Sequence, residues 1–270
     1  RDITLMGKTT KNNPAAFQKV VPLRFNKTIK KTIKKIINYQ IKAAINFFSS
    51  ELLNYLSQYK RKNQFYCNLC KSESPYLLHT SNNQRILYNS ICPNCNSRKR
   101  HRGLYEIYKN ILKKMESPRI LHFAPEPVFY NLFHSFEYIT ADLELTDVDI
   151  QLDIENIDYI SDSFDLILCN HVLEHISDDS KALRELHRIL KPSGIVIITV
   201  PGNWLVKQTI ENDHPDSNGH YRHYGLNFIS VLDDIFTTIE SNDLFKYNGV
   251  YNLPIGLTPQ HDLAFLCYKN

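Results

Sequence analysis

The chain has 270 residues, 43% hydrophobic and 22% charged, with a formal net charge of +4. That length holds one full α/β domain and a smaller module. No run approaches the ~18 apolar residues of a membrane span, and no secretory signal precedes the polar Lys8–Asn13 segment, so a cytoplasmic location is expected.

The small net charge hides a division. Residues 1–117 hold 23 Lys+Arg against 5 Asp+Glu, and residues 118–270 hold 9 against 23, which gives +18 and −14. A basic first part suggests an anionic partner such as RNA or an anionic membrane surface, or neutralisation by the acidic remainder. The composition shifts divide the chain into residues 1–62, 63–117 and 118–270.

From Thr28 to Tyr59 apolar residues recur at steps of three and four, including Ile29, Ile33, Ile36, Ile41, Ile45, Phe48, Leu52 and Tyr59. The spacing predicts one long amphipathic helix, open to interruption near Ser49-Ser50. Lys27, Lys30, Lys31, Lys34, Lys35 and Lys42 make its first half basic. Its stripe is expected to pack on the neighbouring domain, with an anionic surface as the rival reading.

Cys67-x-x-Cys70 and Cys92-x-x-Cys95 are separated by 21 residues, the spacing of a zinc ribbon. Four thiolates fill the coordination of Zn2+ and leave no position for water, so the expected ion is structural. Cys169 and Cys267 fall in apolar runs and read as buried small hydrophobes. No pattern of secreted disulfides is present. The basic run Ser97–Arg102 follows the second knuckle and leads into a helix expected at Leu104–Lys114. It could grip phosphates or anchor the ribbon to the acidic domain.

From Pro118 strands and helices alternate, as in a doubly wound sheet. Seven strands are expected: Arg119–Phe123, Tyr138–Ala141, Ile150–Leu152, Phe164–Cys169, Ile195–Val200, 235–241 and Leu263–Tyr268. The last two should form an antiparallel hairpin around an irregular Tyr247–Gln260 excursion. Phe164–Pro201 reads as a strand, a polar loop, a helix capped by Ser177 with Asp178 and Asp179 in its first turn, and a second strand. Lys191-Pro192-Ser193-Gly194 should end that helix. A right-handed βαβ unit opens both strand ends on one sheet edge, where ligands bind.

This forty-residue segment, with Val172-Leu173-Glu174-His175 before the helix and Leu190-Lys191-Pro192-Ser193-Gly194 after it, resembles class I S-adenosylmethionine-dependent methyltransferases. The order of zinc ribbon, Ser-x-x-Arg-His-Arg, helix and Leu121-His122-Phe123-Ala124-Pro125-Glu126 resembles a bacterial subgroup associated with sugar and surface-polysaccharide modification. The resemblance implies a Rossmann-like α/β fold, a seven-stranded doubly wound sheet preceded by a basic helix and a small zinc ribbon. It also implies S-adenosylmethionine as cofactor.

Within that resemblance His122 stands at the usual acidic position, and Ala124 and Glu126 replace the first two glycines of the family turn. Glycine normally serves there because it tolerates positive φ. Ala124 and the Glu126 backbone would face the methionine part of the cofactor. Asp142, after the second strand, suits the ribose hydroxyls, with Glu144 as its competitor. Asp153 would meet the adenine amino group, and Asn170 and His171 would border the sulfonium end through their backbones.

Candidates for catalysis are His171, His175, His220, Arg222 and Tyr224, the last three in a run that resembles the family's H-x-R-x-Y-G element. Histidine titrates near ~6.5 and serves as a base after small shifts, and Arg222 could hold an acceptor's phosphate or carboxylate. Each histidine could instead be scaffold. Glu174 could orient His175, cap the helix or act directly, and Asp213 and His214 could belong to a lid. The expected function is methyl transfer to a small anionic acceptor, such as a phosphorylated or nucleotide-linked sugar. The rivals are an RNA methyltransferase and a degenerate, non-catalytic binding platform.

Overall fold

The computed structural model describes residues 27–59, 65–81, 86–244 and 263–270. The polar segment 8–13, the side chains of 27–33 and the excursion expected at 247–260 lie outside the described residues. In chain order the elements are helix α1 (Lys27–Ser57), strands β1 (Phe65–Tyr66), β2 (Glu73–Ser74), β3 (Leu78–Ser81) and β4 (Ile86–Ile91), and helix α2 (Lys99–Leu112). Then come β5 (Arg119–Phe123), α3 (Tyr130–Phe133), β6 (Glu137–Asp142), β7 (Ile150–Gln151), β8 (Phe164–Asn170), α4 (Asp179–Ile189) and β9 (Leu190–Val200). The chain closes with β10 (Ile210–Glu211), β11 (Arg222–His223), α5 (Phe228–Asp233), β12 (Thr238–Asp243) and β13 (Leu263–Tyr268).

Seven strands form one sheet in the order β12-β13-β9-β8-β5-β6-β7, parallel except for β13, which runs antiparallel to both β9 and β12. Strand side chains alternate between faces, and this alternation sorts the apolar runs into two cores. Leu121, Phe123, Ile167, Cys169, Val196, Ile198 and Phe265 meet α4 and α5 on one face. Ile120, Leu166, Leu168, Ile197, Ala264 and Leu266 meet α2 and α3 on the other. A sheet covered on both faces needs near-continuous apolar strands, which is why no polar alternation marks them in the sequence. Cys169 and Cys267 are fully buried in the first core.

The helix expected at Leu104–Lys114 starts five residues earlier, inside the basic run. The Arg98 amide donates to His101 Nδ1 (3.2 Å), closing the first turn in capping-box fashion. Leu104, Ile107, Tyr108, Ile111 and Leu112 then pack into the second sheet face, so α2 is a layer of the sheet domain as well as the ribbon's continuation. Helix α4 is capped by Asp178, whose Oδ1 accepts from the Lys181 amide (2.9 Å). Ser177, the cap expected from sequence, instead donates to Glu155 Oε1 (2.9 Å). At the other end, Leu190 leaves the helix early because it is buried and pairs with Phe164. Lys191–Gly194 form a bulge tied to Lys269, with the Ser193 amide donating to the Lys269 carbonyl (2.7 Å).

Helix α1 runs unbroken past Ser50, whose hydroxyl donates to the Phe47 carbonyl. It docks on the hairpin β3–β4 through Asn54, which donates to the His79 carbonyl (3.0 Å) and accepts from the His79 amide (2.6 Å). The expected packing of its apolar stripe is not found among the described residues: Ile41, Ile45, Phe48, Leu52 and Tyr55 are all exposed. A polar pair, rather than the stripe, makes the contact.

Candidate active site

Strand order reverses between β5 and β8, so their C-terminal ends diverge into a topological switch point, the place where open α/β sheets bind ligands. The register sets Phe123 beside Ala141 and Cys169, and Asn170 beside Thr199. Two residues at this edge turn with positive φ, Ala124 (+48°) and His171 (+52°). The Ala124 amide donates to the Ala141 carbonyl (2.9 Å), and the His171 amide to the Thr199 carbonyl (2.8 Å). Ala124 therefore makes the left-handed turn that glycine usually makes, at a cost of order 1 kcal/mol.

The Glu126 side chain closes this turn inward. Its carboxylate accepts from Asn170 Nδ2 (3.0 Å) and, more weakly, from Arg100 (3.5 Å), and His101 Nε2 lies 3.1 Å from its Oε1. Burial would raise this carboxyl. The hydrogen bond from His101, with the charges of His101, His122 and Arg100, more than offsets burial and holds it at about 2. His101 itself is pushed down by burial. With its Nδ1 accepting from Arg98, a neutral ring carries its proton on Nε2, which lies 3.1 Å from Glu126 Oε1. The basic run is thus turned inward: Arg100 and His101 meet Glu126, and fully buried Arg102 donates to the Ser97 carbonyl (2.7 Å) and the Ser90 carbonyl (3.3 Å) behind the second knuckle. For Arg100 and His101 the anchoring reading holds, whereas Arg102 braces the cysteine module internally.

Several predicted cofactor residues are therefore core groups at the level of their side chains. His122 is fully buried and shares a hydrogen bond with Tyr138 (2.8 Å), and burial lowers it to about 4. Its place on the α2 face removes it from the open edge. Asn170 spends its amide on Tyr108 (2.8 Å) and Glu126 and accepts from Thr199, so only its backbone remains for a ligand. Asp142 ends β6 at the edge; its Oδ1 accepts from the amides of Glu144 (2.8 Å) and Leu145 (2.9 Å), which fixes the carboxylate. Asp153 is exposed and caps the Glu155 amide (2.8 Å).

Beyond β8 the histidines gather around Glu174, which is 1% exposed. His171 Nδ1 lies 3.2 Å from Glu174 Oε1, and His175 Nε2 lies 4.0 Å from the same oxygen. The β10–β11 hairpin brings the Gly219–Gly225 run over them: Tyr221 donates its amide to the Glu174 carbonyl (2.7 Å), and His220 stacks edge-on against His175 at 4.9 Å. Burial lowers His220. His223 pairs with Asp216 at 3.2 Å.

Arg222 and Tyr224, expected to act on the acceptor, are structural. Arg222 is 4% exposed and donates to the carbonyls of Leu173 (3.0 Å), Ile176 (2.6 Å) and Ser177 (2.9 Å) and to Glu211 (3.0 Å). Its guanidinium, buried and with four of its five N–H donors spent on these groups, staples the post-β8 loop. Tyr224 is buried, donates to Asp179 (2.9 Å) and packs on Phe228. Glu174 and Asp216 are the residues sequence reasoning undervalued; the dense histidines flanking both were the available signal. Asp213 and His214 lie exposed in the β10–β11 loop.

The four knuckle cysteines are reduced and converge, with Sγ separations of 3.8 Å for Cys67–Cys95 and 3.7 Å for Cys70–Cys92. A tetrahedral ion with Zn–S bonds of ~2.3 Å needs S–S edges of ~3.8 Å. Both knuckles fold alike. Lys71 and Asn96 donate their amides back to Cys67 and Cys92 and take φ near +60°. The donor set and its spacing fit Zn2+. A cleft of ≈ 400 Å³ between the knuckles and the segment after β5 is lined by Leu69, Tyr105, Val128 and Leu132 among others, and contains none of the predicted cofactor or catalytic residues.

Residues 134–198 match the family model described as a methyltransferase domain. An uncharacterised protein of Methanocaldococcus jannaschii, MJ0638, is 36% identical over 134 residues, covering 46% of this chain and 57% of its own length. The ubiquinone/menaquinone biosynthesis C-methyltransferase UbiE of Pseudoalteromonas translucida is 28% identical over 98 residues, 36% of this chain and 35% of that one. The chain thus spans between a third and three fifths of these curated relatives. Among solved structures, the Pyrococcus horikoshii protein PH0226 superposes with a TM-score of 0.44 at 17% identity, over 65% of this chain and 94% of that one.

Proposed function

We propose that this chain is a class I S-adenosylmethionine-dependent methyltransferase, a reading supported by its sheet order and its match over residues 134–198, and that it transfers a methyl group to a hydroxyl of a small acceptor. The observation that carries the reading is the His171–Glu174 pair at the sheet's switch point, held at 3.2 Å. When His171 Nδ1–H donates to the buried Glu174 carboxylate, the lone pair of His171 Nε2 is free to accept a proton. Among the described residues that Nε2 has no hydrogen-bond partner, and because it is buried the acceptor would reach it only as the pocket opens.

The cofactor would lie along the Ala124 turn and the His171 backbone, with its ribose on Asp142. Bound there, S-adenosylmethionine would supply an electrophilic methyl group to the acceptor's oxygen and leave as the thioether. His171 takes the acceptor's proton at Nε2, and Glu174 offsets the charge of the resulting imidazolium. The chain otherwise contributes orientation. Asp142 suits the ribose because one carboxylate oxygen is fixed by two amides, which orients the other. The four cysteines would hold a structural zinc ion that takes no part in the chemistry.

Because Arg222 is committed to backbone carbonyls, an anionic acceptor would have to be met by the histidine face. Phosphorylated and nucleotide-linked sugars are the first members of the class to test. A labelled-methyl transfer screen across phosphosugars, nucleotide sugars and RNA separates the acceptor classes, with incorporation expected into a sugar. His171→Phe should lower turnover by about 10²-fold or more while S-adenosylmethionine affinity holds. Absence of any S-adenosylmethionine binding in calorimetry on the folded, zinc-loaded protein would sink the enzyme reading.

A further inference from the structure

We propose that Glu174, His175 and His220 form a second metal site, for a divalent transition ion, beside His171 and apart from the four cysteines. The proposal deepens the methyltransferase reading and rests on it for the ion's use, though not for its binding. One ligand atom of each residue lies within 4.8 Å of the others, so small rotations of the two rings close the set around one ion.

Three observations point to a missing cation. First, among the described residues two atoms of the trio, Glu174 Oε2 and His220 Nδ1, are buried without a hydrogen-bond partner. Buried polar atoms are nearly always paired, so a concentration of orphans marks an absent ion or water. Second, the environment fixes the His175 tautomer. Its Nδ1 lies 3.1 Å from the Gly219 carbonyl, which can only accept, so Nδ1 carries hydrogen. The Nε2 lone pair of a neutral ring then faces the Glu174 carboxylate at 4.0 Å, two electron-rich groups that a cation between them would reconcile. This arrangement, with the far ring nitrogen held by a carbonyl, is how ligating histidines are oriented.

Third, the opposing loop is built to hold His220 in place. Asp216 Oδ1 accepts the amides of Asn218 (2.7 Å) and His220 (3.1 Å), and Gly219 takes φ +80° so that its carbonyl meets His175. A Cβ on Gly219 would come within 3.3 Å of the His175 ring. Glu174 Oε1 lies 3.2 Å from His171 Nδ1 and 4.0 Å from His175 Nε2, and Oε2 is without a partner among the described residues, so the carboxylate can turn toward an ion held by the two rings. A neighbouring trio, Asp216, His220 and His223, also converges. There His223 and Asp216 already pair at 3.2 Å and stand more open to solvent.

Two imidazoles and one carboxylate suit Zn2+, Co2+ or Ni2+ over the oxygen-seeking Mg2+ and Ca2+. Three protein ligands leave a coordination position open, the mark of catalytic rather than structural sites. The ligand class for that position is an acceptor hydroxyl. Coordination would acidify it, its proton passing to His171 Nε2 before the O–C bond forms.

The test uses the whole chain carrying one equivalent of Zn2+ on its cysteines, titrated with Co2+ and read by elemental analysis and visible absorption. A second equivalent should bind with ligand-field bands and without new thiolate-to-cobalt charge transfer. In the double variant His175→Gln, His220→Gln, that equivalent should be lost while the first remains. Near-ultraviolet circular dichroism verifies the fold, and the single variants serve if the double one is unfolded. A wild-type stoichiometry of one metal, or a second equivalent that survives in the variants, overturns the site. Calorimetry with S-adenosylmethionine on the same samples separates the two readings: cofactor binding with one metal refutes the site alone. Two metals without cofactor binding refute the methyltransferase reading and leave the site standing.

Discussion

Glu126 joins three parts of the molecule, and removing its carboxylate should loosen all three. The Glu126→Ala change removes the carboxylate that lies 3.1 Å from His101 Nε2 and takes from Asn170 one of its two acceptors, leaving a buried donor stranded. A stranded buried donor costs roughly 1–3 kcal/mol, and breaking a buried charged contact about 3–5 kcal/mol. Linkage gives a second estimate. The carboxyl sits at about 2 in the fold against an ordinary 4.5, a difference worth about 3 kcal/mol. Both routes lead to a loss of about 3 kcal/mol, or a fall in Tm of roughly 6–12 °C for a chain of this size.

The sign also predicts a pH dependence. Because the folded pKa is depressed, the unfolded chain binds the extra proton first. This stability is complete above about 4.5 and is lost as pH falls toward about 2. Glu126→Gln removes the titration, so its stability should decline less steeply than wild type across that window. Thermal melts of the three proteins between pH 2 and 7 read both effects. A Glu126→Ala Tm within about 2 °C of wild type, or identical acid limbs for wild type and Glu126→Gln, would refute the account of this joint.

Three further outcomes are expected. Asp142→Ala should weaken S-adenosylmethionine binding by roughly 10- to 100-fold, as expected for a lost charge-assisted hydrogen bond, with Tm nearly unchanged; unaltered calorimetric affinity would rule out its ribose role. Arg222→Lys should cost about 3 kcal/mol of stability, because an ammonium cannot reach the three carbonyls of Leu173, Ile176 and Ser177 together with Glu211. A variant of full stability that binds acceptor poorly would restore Arg222 to the acceptor site. Cys92→Ser should release the ion from the knuckles and lower Tm, since buried Arg102 then loses the thiolates it faces. Elemental analysis showing unchanged zinc, with any second site blocked by His175→Gln and His220→Gln, would contradict the four-cysteine assignment.

The strands were legible because a sheet covered on both faces demands continuous apolar runs. Arg119–Phe123 and Leu263–Tyr268 fall where those runs begin and end. The knuckles were legible because two C-x-x-C turns fix their geometry locally, and the structure repeats the same turn at Lys71 and Asn96. The gathering of histidines near β8 was visible too, since His171 and His175 share one short loop. What sequence could not assign was the direction in which polar side chains point. Arg222, Tyr224, His122 and Glu126 are residue types that act on ligands when exposed and brace loops when buried.

Only tertiary structure decides between those roles. The β10–β11 hairpin carries Arg222 into the loop after β8, where backbone carbonyls absorb its donors. The basic run after the knuckles meets Glu126, an acidic residue from a different strand end. The same long-range closure makes Glu174 central, as His220 arrives from 46 residues downstream to face it. Periodicity and spacing thus determined the fold and the cysteine knuckles, because both are local or repeat along the chain. The committed partner of each buried charge was settled by contacts far apart in sequence, which no local pattern encodes.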